Sequence, residues 1–231
     1  RFSGHLMMSL IAGKIVMTQE IGENERNTYG DSVPIKMIPN GVLRQHIEEG
    51  RMLSFDGKKL SMVFVASQYH LYHGIERLLS GLAIYSGPVA IELHIVGLSE
   101  VDFPSHSLTL LKKAQSCATI SLHPKLRRPE LKSLYAKCHL GIGTLALHQL
   151  PMREACSLKV REYMRYGLPF IFSGIDSELK GDEPFCLPFT DDQSPLEIEK
   201  IIDFVQRVSN QYAGVLAALS NFLEATSLEI K

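Results

Sequence analysis

The sequence lacks the features that mark several large classes of protein. Its 24 lysines and arginines are balanced by 25 aspartates and glutamates, so the formal net charge of −1 gives no basic excess of the kind that binds nucleic acid. No run of about 18 apolar residues is present, and we therefore expect no membrane-spanning segment. The apolar stretch over 6–17 is interrupted by Gly13 and Lys14 and has no cleavage-site pattern, which argues against a signal peptide.

Cysteine is also scarce. The four cysteines form no C-x2-C pair and no cysteine–histidine spacing that would hold a metal ion. We therefore expect no metal site and no disulfide framework, and reduced thiols in a cytoplasmic protein are the simplest interpretation. The Walker phosphate loop and the G-x-S-x-G nucleophile elbow are absent as well. The cysteines are Cys117, Cys138, Cys156 and Cys186.

What the sequence does have is a regular alternation of apolar strands and amphipathic helices. Strands are predicted over 14–18, 33–38, 60–66, 89–96, 119–122, 140–144, 170–172 and 184–187. Helices are predicted over 2–11, 20–29, 74–86, 105–116, 129–136, 157–166, 195–209 and 211–227. In the helix over 74–86, Ile84 is placed among the core-facing residues. The alternation predicts an α/β fold of the Rossmann-like kind, a parallel sheet with helices on both faces.

The most informative stretch covers residues 154–169. Ser157 predicts the N-cap of a helix, because its hydroxyl can accept from first-turn N–H groups. Gly167, followed by Leu168 and Pro169, predicts the end of that helix. Ligands of parallel sheets bind beyond the carboxyl ends of the strands, and a helix that begins there presents N–H groups to an anion.

Charged side chains of the same stretch suit a particular ligand. Lys159 lies in the first turn of the helix, where its charge would add to the attraction for phosphate. Glu154 and Glu162 flank this phosphate-sized site. A nucleotide sugar carries hydroxyls on both sides of its phosphates, so it fits two flanking carboxylates.

Glu154, seven intervening residues, Glu162 and a closing Gly-x-Pro together resemble the E-x7-E signature of the group 1 retaining glycosyltransferases. That family has the two-domain GT-B architecture, and this chain resembles its C-terminal, donor-binding half. The resemblance implies that Glu154 is a catalytic residue that approaches the donor sugar and that Glu162 binds the ribose. It also implies that Ser157, Leu158 and Lys159 hold the diphosphate. The alternative is that both glutamates are solvated surface charges.

Two further segments extend the resemblance. The I-P-N-G-V sequence over 38–42 is similar to the family's link between its acceptor and donor domains. Residues 1–45 would then be the end of an N-terminal acceptor domain with the linker, and residues 46–231 the donor-binding domain; a plain surface turn is the alternative. Lys125 and Leu126 match the positions whose backbone holds the nucleobase in the family.

The sequence departs from the family where two cations normally clamp the diphosphate. The family has arginine and, five residues on, Lys-Gly; this chain has Gln68 and His73-Gly74. We assign Gln68, His73 and Gly74 to donor binding, while His70 and His73 could instead be loop residues with local hydrogen bonds. If His73 replaces the lysine by its charge, donor binding should strengthen as the pH falls from about 8 toward 6. If it donates while neutral, affinity should be level.

The resemblance implies a hexosyltransferase-type enzyme that acts on a cell-surface polysaccharide or glycolipid. Its donor would be a nucleotide-diphosphate sugar, bound as substrate without a metal or other cofactor. The glycan or lipid-linked acceptor would bind through the missing N-terminal domain, so this chain should be incomplete and inactive alone. We expect a cytoplasmic protein, with membrane association through that domain as a further option. Two alternatives remain: a non-catalytic nucleotide-sugar-binding subunit or degenerate homologue that needs a partner chain, and another enzyme of this architecture, such as a nucleotide-sugar epimerase.

Overall fold

The computed structural model describes residues 11–42 and 53–227. The first described part is a small β-α-β unit: strand β1 (Lys14–Val16), helix α1 (Gln19–Tyr29) and strand β2 (Ile35–Met37), with β1 and β2 paired in parallel. It confirms the helix and strands predicted between 14 and 38. The helix predicted over 2–11 and the domain boundary at 45–46 lie outside the described residues.

The second described part is built on one six-stranded parallel sheet. Its first half contains β3 (Lys59–Val65), α2 (Ile75–Ile84), β4 (Ala90–Val96), α3 (Ser105–Gln115), β5 (Thr119–His123), α4 (Arg128–Tyr135) and β6 (Leu140–Ile142). The second half of this part of the chain contains β7 (Glu154–Ala155), α5 (Leu158–Arg165), β8 (Phe170–Ser173), β9 (Ile175–Asp176), β10 (Cys186–Phe189), α6 (Ile198–Asn210) and α7 (Tyr212–Thr226). The strands β7 and β9 pair with each other and are not part of the six-stranded sheet.

The strand order of this sheet is β10-β8-β6-β3-β4-β5. The chain therefore winds outward from β3 to β5, returns to place β6 on the other side of β3, and winds outward again to β10. The order reverses between β3 and β6, which is where α/β sheets of this kind bind ligands, beyond the carboxyl ends of the strands. The predicted Rossmann-like α/β fold is confirmed.

Burial explains why these segments form the sheet. The apolar residues of β3 and β8 are buried on both faces, as expected of parallel strands that helices cover. Helix α5 buries Val160, Tyr163 and Met164, and the Tyr163 hydroxyl donates to the Ile142 carbonyl of β6 at 3.1 Å. It ends as predicted: Gly167 has a φ of +70°, and the Leu168 N–H donates to the Tyr163 carbonyl at 2.9 Å.

Two details of the predicted helices are wrong. Ile84 does not face the core but is 68% exposed, because it is the last residue of α2 and Tyr85, just beyond the helix, takes the buried position. Ser157 does lie at the N-cap of α5, but its hydroxyl makes no capping hydrogen bond. The N–H groups in the first turn of α5 therefore do not have the Ser157 hydroxyl as an acceptor.

Candidate functional site

The loops that follow β3 and β6 meet at the point where the strand order reverses. The N–H groups of Leu145 and Ala146 donate to the carbonyls of His73 and Tyr72 at 3.1 and 3.2 Å. Gly74 makes this approach possible, because a Cβ there would lie 2.8 Å from the Leu145 and Ala146 backbone and its φ is +67°. Gly74 thus joins the two loops into one site and opens α2.

Lys159 and His73 form a pair at this junction. The Lys159 Nζ lies 3.3 Å from the His73 Nδ1 and 4.6 Å from the centroid of the Phe64 ring. Burial lowers the pKa of the Lys159 amine to about 7. Burial first, and then the neighbouring Lys159 and His70, lower the pKa of His73 to about 3. His73 is therefore neutral near pH 7. A charged Lys159 can only donate, so beside it the His73 Nδ1 is the acceptor and the Nε2 carries the N–H.

The pKa values of this pair show whether His73 or Lys159 changes its charge between about pH 8 and 6, the range in which donor binding was expected to depend on pH. His73 has lost its proton well below pH 6 in the free protein, so it does not gain charge between about pH 8 and 6. Lys159 changes its charge there instead. Lys159 lies in the first turn of α5, next to the uncapped N–H groups, so charge and N–H donors converge on one place.

Glu154 lies in β7, which pairs with β9 in a two-stranded parallel ladder. Its carboxylate Oε2 accepts from the Glu20 N–H at 2.8 Å, at the start of α1. The Glu20 Oε2 in turn accepts from the N–H groups of Arg153 and Glu154, both at 2.8 Å. The carboxylate of Glu154 is thus partnered, and it is directed toward the β-α-β unit formed by β1, α1 and β2.

Glu162 has different surroundings. It is half-buried beside Tyr135 of α4. Burial raises the pKa of its carboxyl group, against the opposing influence of the Tyr135 hydroxyl, Arg128 and Arg165. The two glutamates of the motif therefore face different helices, Glu154 toward α1 and Glu162 toward α4, with Lys159 between them in sequence.

The residues assigned to the nucleobase and to the missing clamp are more open. Lys125 is exposed beyond β5, and its Cγ lies 3.7 Å from the place that a Cβ at Gly97 would take. Leu126 is partly buried against the core. Gln68 is exposed in the loop after β3 and makes no hydrogen bond to another described residue. The structure places Gln68 on the same edge of the sheet as Lys159 but does not join it to the Lys159–His73 pair.

A buried network that the sequence did not predict supports the start of α5. The Arg161 guanidinium forms a two-point ion pair with Asp176, with nitrogen–oxygen distances of 2.6 and 3.0 Å, and both side chains are buried. Its Nε donates to the Asn40 carbonyl at 2.9 Å, and the Asn40 side-chain amide donates to the Cys156 carbonyl at 2.6 Å. The segment over 38–42 therefore docks on the E-x7-E helix. An arginine beside the core-facing Val160 was the only local signal.

A cavity of about 560 Å³ lies on the β6–β8–β10 side of the site. Glu20 and Arg153 line it, so it adjoins the backbone of Glu154. His148 and Asp191 also line it: the His148 Nδ1 lies 3.2 Å from the Asp191 Oδ1, which also accepts from the Ser173 hydroxyl. The remaining lining residues are Leu150, Pro151, Met152, Gly174 and Ile175.

Glycosyltransferases are among the solved structures that share this fold. Sucrose-phosphate synthase from Thermosynechococcus elongatus is 16% identical with a TM-score of 0.61, over 92% of this chain and 52% of that one. A glycosyltransferase from Rickettsia africae is 11% identical with a TM-score of 0.62, over 93% of this chain and 63% of that one. HepE from Anabaena, in complex with UDP, is 13% identical with a TM-score of 0.61, over 93% of this chain and 58% of that one. This chain has the Rossmann-like fold of these GT-B proteins.

The chain spans between 52% and 63% of the length of these three proteins. No protein-family model matches the sequence, and no protein of curated function does. No helix in the described part of the chain is long and apolar enough to cross a membrane. Within residues 11–42 and 53–227, no three histidine, cysteine, aspartate or glutamate side chains are grouped so that they could hold a metal ion.

Proposed function

We propose that this chain is the donor-binding part of a retaining glycosyltransferase of the hexosyltransferase type. It would bind a nucleotide-diphosphate sugar for transfer to a cell-surface polysaccharide or glycolipid. The observation that carries the proposal is the Lys159–His73 pair at the reversal of strand order, where Lys159 and the first turn of α5 offer charge and N–H donors to a diphosphate. The likeness in fold to glycosyltransferases, one of them solved with UDP, supports it.

The pair also suggests how histidine serves where the family has lysine. Because the His73 Nδ1 accepts from Lys159, its Nε2–H is free to donate to a phosphate oxygen while the ring stays neutral. Lys159 would supply the positive charge, with Ser157 and Leu158 contributing backbone N–H groups and Gln68 an amide donor. Gly74 would set the shape of the loop. In this arrangement Lys159 is the only charged side chain needed at the diphosphate, because the other donors are neutral.

The remaining roles follow the two ends of the nucleotide sugar. Glu162, beside α4, would accept from the ribose hydroxyls, and the backbone at Lys125 and Leu126 would hold the base. Glu154 would contact the donor sugar on the opposite side. Residues 1–45 would belong to an acceptor domain and its linker, and 46–231 to the donor domain. The acceptor-side groups would come from outside this cytoplasmic chain, so it should bind donor without transferring sugar.

A second candidate is a nucleotide-sugar-binding subunit without catalytic activity that works with a partner chain. The specific observation in its favour is Gln68, which is exposed and uncharged where the family has an arginine. Donor binding by this chain would be the same in both cases. The two differ in whether a partner that supplies the acceptor groups restores sugar transfer.

Thermal shift with UDP-, GDP- and ADP-sugars tests the donor site directly, since a ligand that binds only the folded state raises the melting temperature. We expect one base to give a clear, saturable increase that Lys159→Ala abolishes and Lys125→Ala leaves in place. Sugar transfer by the isolated chain would refute the expected incompleteness. If none of the three bases raises the melting temperature at millimolar concentration, the proposed function is wrong.

A further inference from the structure

Helix α1 has a first turn whose N–H groups need acceptors. Thr18 is its N-cap and accepts from the Ile21 N–H at 3.2 Å. The Glu20 N–H, one residue earlier, has its acceptor 134 residues away in the Glu154 carboxylate, at 2.8 Å. Glu154 therefore caps α1, and the positive end of the helix dipole favours the carboxylate there.

The contact is reciprocal. The Glu20 carboxylate extends back and accepts from the N–H groups of Arg153 and Glu154 at 2.8 Å each. We call this arrangement of Glu20, Arg153 and Glu154 the acid bracket. It fixes both the backbone and the carboxylate of Glu154. It uses Oε2 of that carboxylate, and no other described residue donates to Oε1. One oxygen of Glu154 is therefore held in place with capacity for a further hydroxyl donor.

The acid bracket lies at the edge of the cavity, because Glu20 and Arg153 both line it. The phosphate end of the site depends on other contacts. Lys159 is held by His73, which follows β3, and by Phe64, which lies in β3, and not by α1. A change at Glu20 should therefore disturb Glu154 and leave the diphosphate contacts intact. The two ends of a nucleotide sugar can be tested separately for this reason.

We propose that Glu20 is a positioning residue: its side chain holds the backbone N–H groups of Arg153 and Glu154, and so sets the position of the Glu154 carboxylate and the sugar selectivity of the site. The inference rests on the proposed function, since it assigns the sugar end of the same donor to Glu154. It places a determinant of sugar choice on α1, outside the main sheet and its helices. A hydroxyl-rich sugar that extends from the diphosphate to the edge of the cavity would meet the acid bracket, where the Oε1 of Glu154 accepts from no described residue.

Calorimetry on the whole chain tests this with UDP and a panel of UDP-hexoses, or with the GDP or ADP series if that base binds. The selectivity ratio is the affinity for the best hexose divided by that for the worst. We expect Glu20→Ala to lower this ratio at least threefold and to change UDP affinity by less than twofold. Glu20→Gln keeps an acceptor for the Arg153 and Glu154 N–H groups, so it should retain the ratio. Glu23→Ala, exposed on the same helix, should have no effect.

A double-mutant cycle separates positioning from a general structural effect. Glu154→Gln should lower the same ratio, and adding Glu20→Ala should lower it little further, because Glu20→Ala acts on the ratio only through the position of the Glu154 carboxylate. If Glu20→Ala proves unfolded, Glu20→Asp, one methylene too short to reach both N–H groups, takes its place. The inference would be overturned by a selectivity ratio that Glu20→Ala leaves unchanged, or by effects of Glu20→Ala and Glu154→Gln on the ratio that add. It would also be overturned if Glu20→Ala weakened UDP binding as much as it weakened binding of the UDP-hexoses, or if the wild-type ratio were near one. Absence of all nucleotide binding would instead refute the proposed function, and this inference with it.

Discussion

The residues assigned to donor binding differ in how completely their side chains are partnered. After β6, Glu154 is held at α1 and Lys159 at His73, and Arg161 nearby is paired with Asp176; we call this group the β6 side. After β3 and β5, the assigned residues Gln68 and Lys125 extend into solvent, and we call them the open side. The β6 side of the donor site is therefore formed in advance, and the open side is not.

This difference matches what each side would have to bind. A diphosphate needs fixed charge and fixed donors, because the cost of arranging them is then met during folding and not during binding. A base held by backbone groups needs no buried side chain, so exposed residues at Lys125 are compatible with the role assigned there. Selectivity for the sugar and affinity for phosphate should accordingly reside on the β6 side, and mutations on the two sides should have unequal effects.

The largest expected effect is on stability, at Arg161. Arg161→Ala leaves Asp176 buried without its partner and removes the donor to Asn40, so we expect the free energy of unfolding to fall by about 3–5 kcal/mol. Lys125→Ala, on the open side, should change it by less than about 0.5 kcal/mol. Urea unfolding of both variants checks this. Equal, small losses would mean that the two sides do not differ in the way described.

A smaller effect is expected on binding, at Glu162. Removing its charge should weaken nucleotide binding by about 1–3 kcal/mol, the cost of a lost charge-assisted hydrogen bond to the ribose. Glu162→Gln is the change, measured by calorimetry with the nucleoside diphosphate alone. Lys125→Ala should weaken the same binding by less than about threefold. Unchanged affinity in Glu162→Gln would support the alternative, that Glu162 is a charged residue with no role in binding the nucleotide.

The sequence predicted the elements well because their signals are local. The end of α5 at Gly167, the alternation of strands and helices, and the position of the N-cap at Ser157 all follow from residues within a few positions of one another. The prediction for Ile84 was wrong because a hydrophobic side chain in the last turn of a helix can extend past the edge of the core and remain exposed to solvent. Periodicity alone does not show where the helix stops.

The site was less predictable because its decisive contacts join distant parts of the chain. The residue types for phosphate and hydroxyl binding could be identified at Glu154, Lys159 and Glu162. Nothing local shows that Glu20 meets Glu154 across 134 residues, or that His73 lies against Lys159 across 86. Burial, together with that second contact, keeps His73 neutral and shifts the pH dependence to Lys159.

The most direct test of the account is the affinity for the nucleotide-diphosphate sugar between about pH 6 and 9, in wild type and Lys159→Arg. The sugar diphosphate has no phosphate that titrates in this range. Because Lys159 has a pKa of about 7 in the free protein and a bound anion favours its charged form, affinity should be level below pH 7. It should fall above that, by up to about tenfold per pH unit. In Lys159→Arg, which stays charged, affinity should be level throughout. A level wild-type curve, or a slope that persists in Lys159→Arg, would contradict the placement of the diphosphate at Lys159.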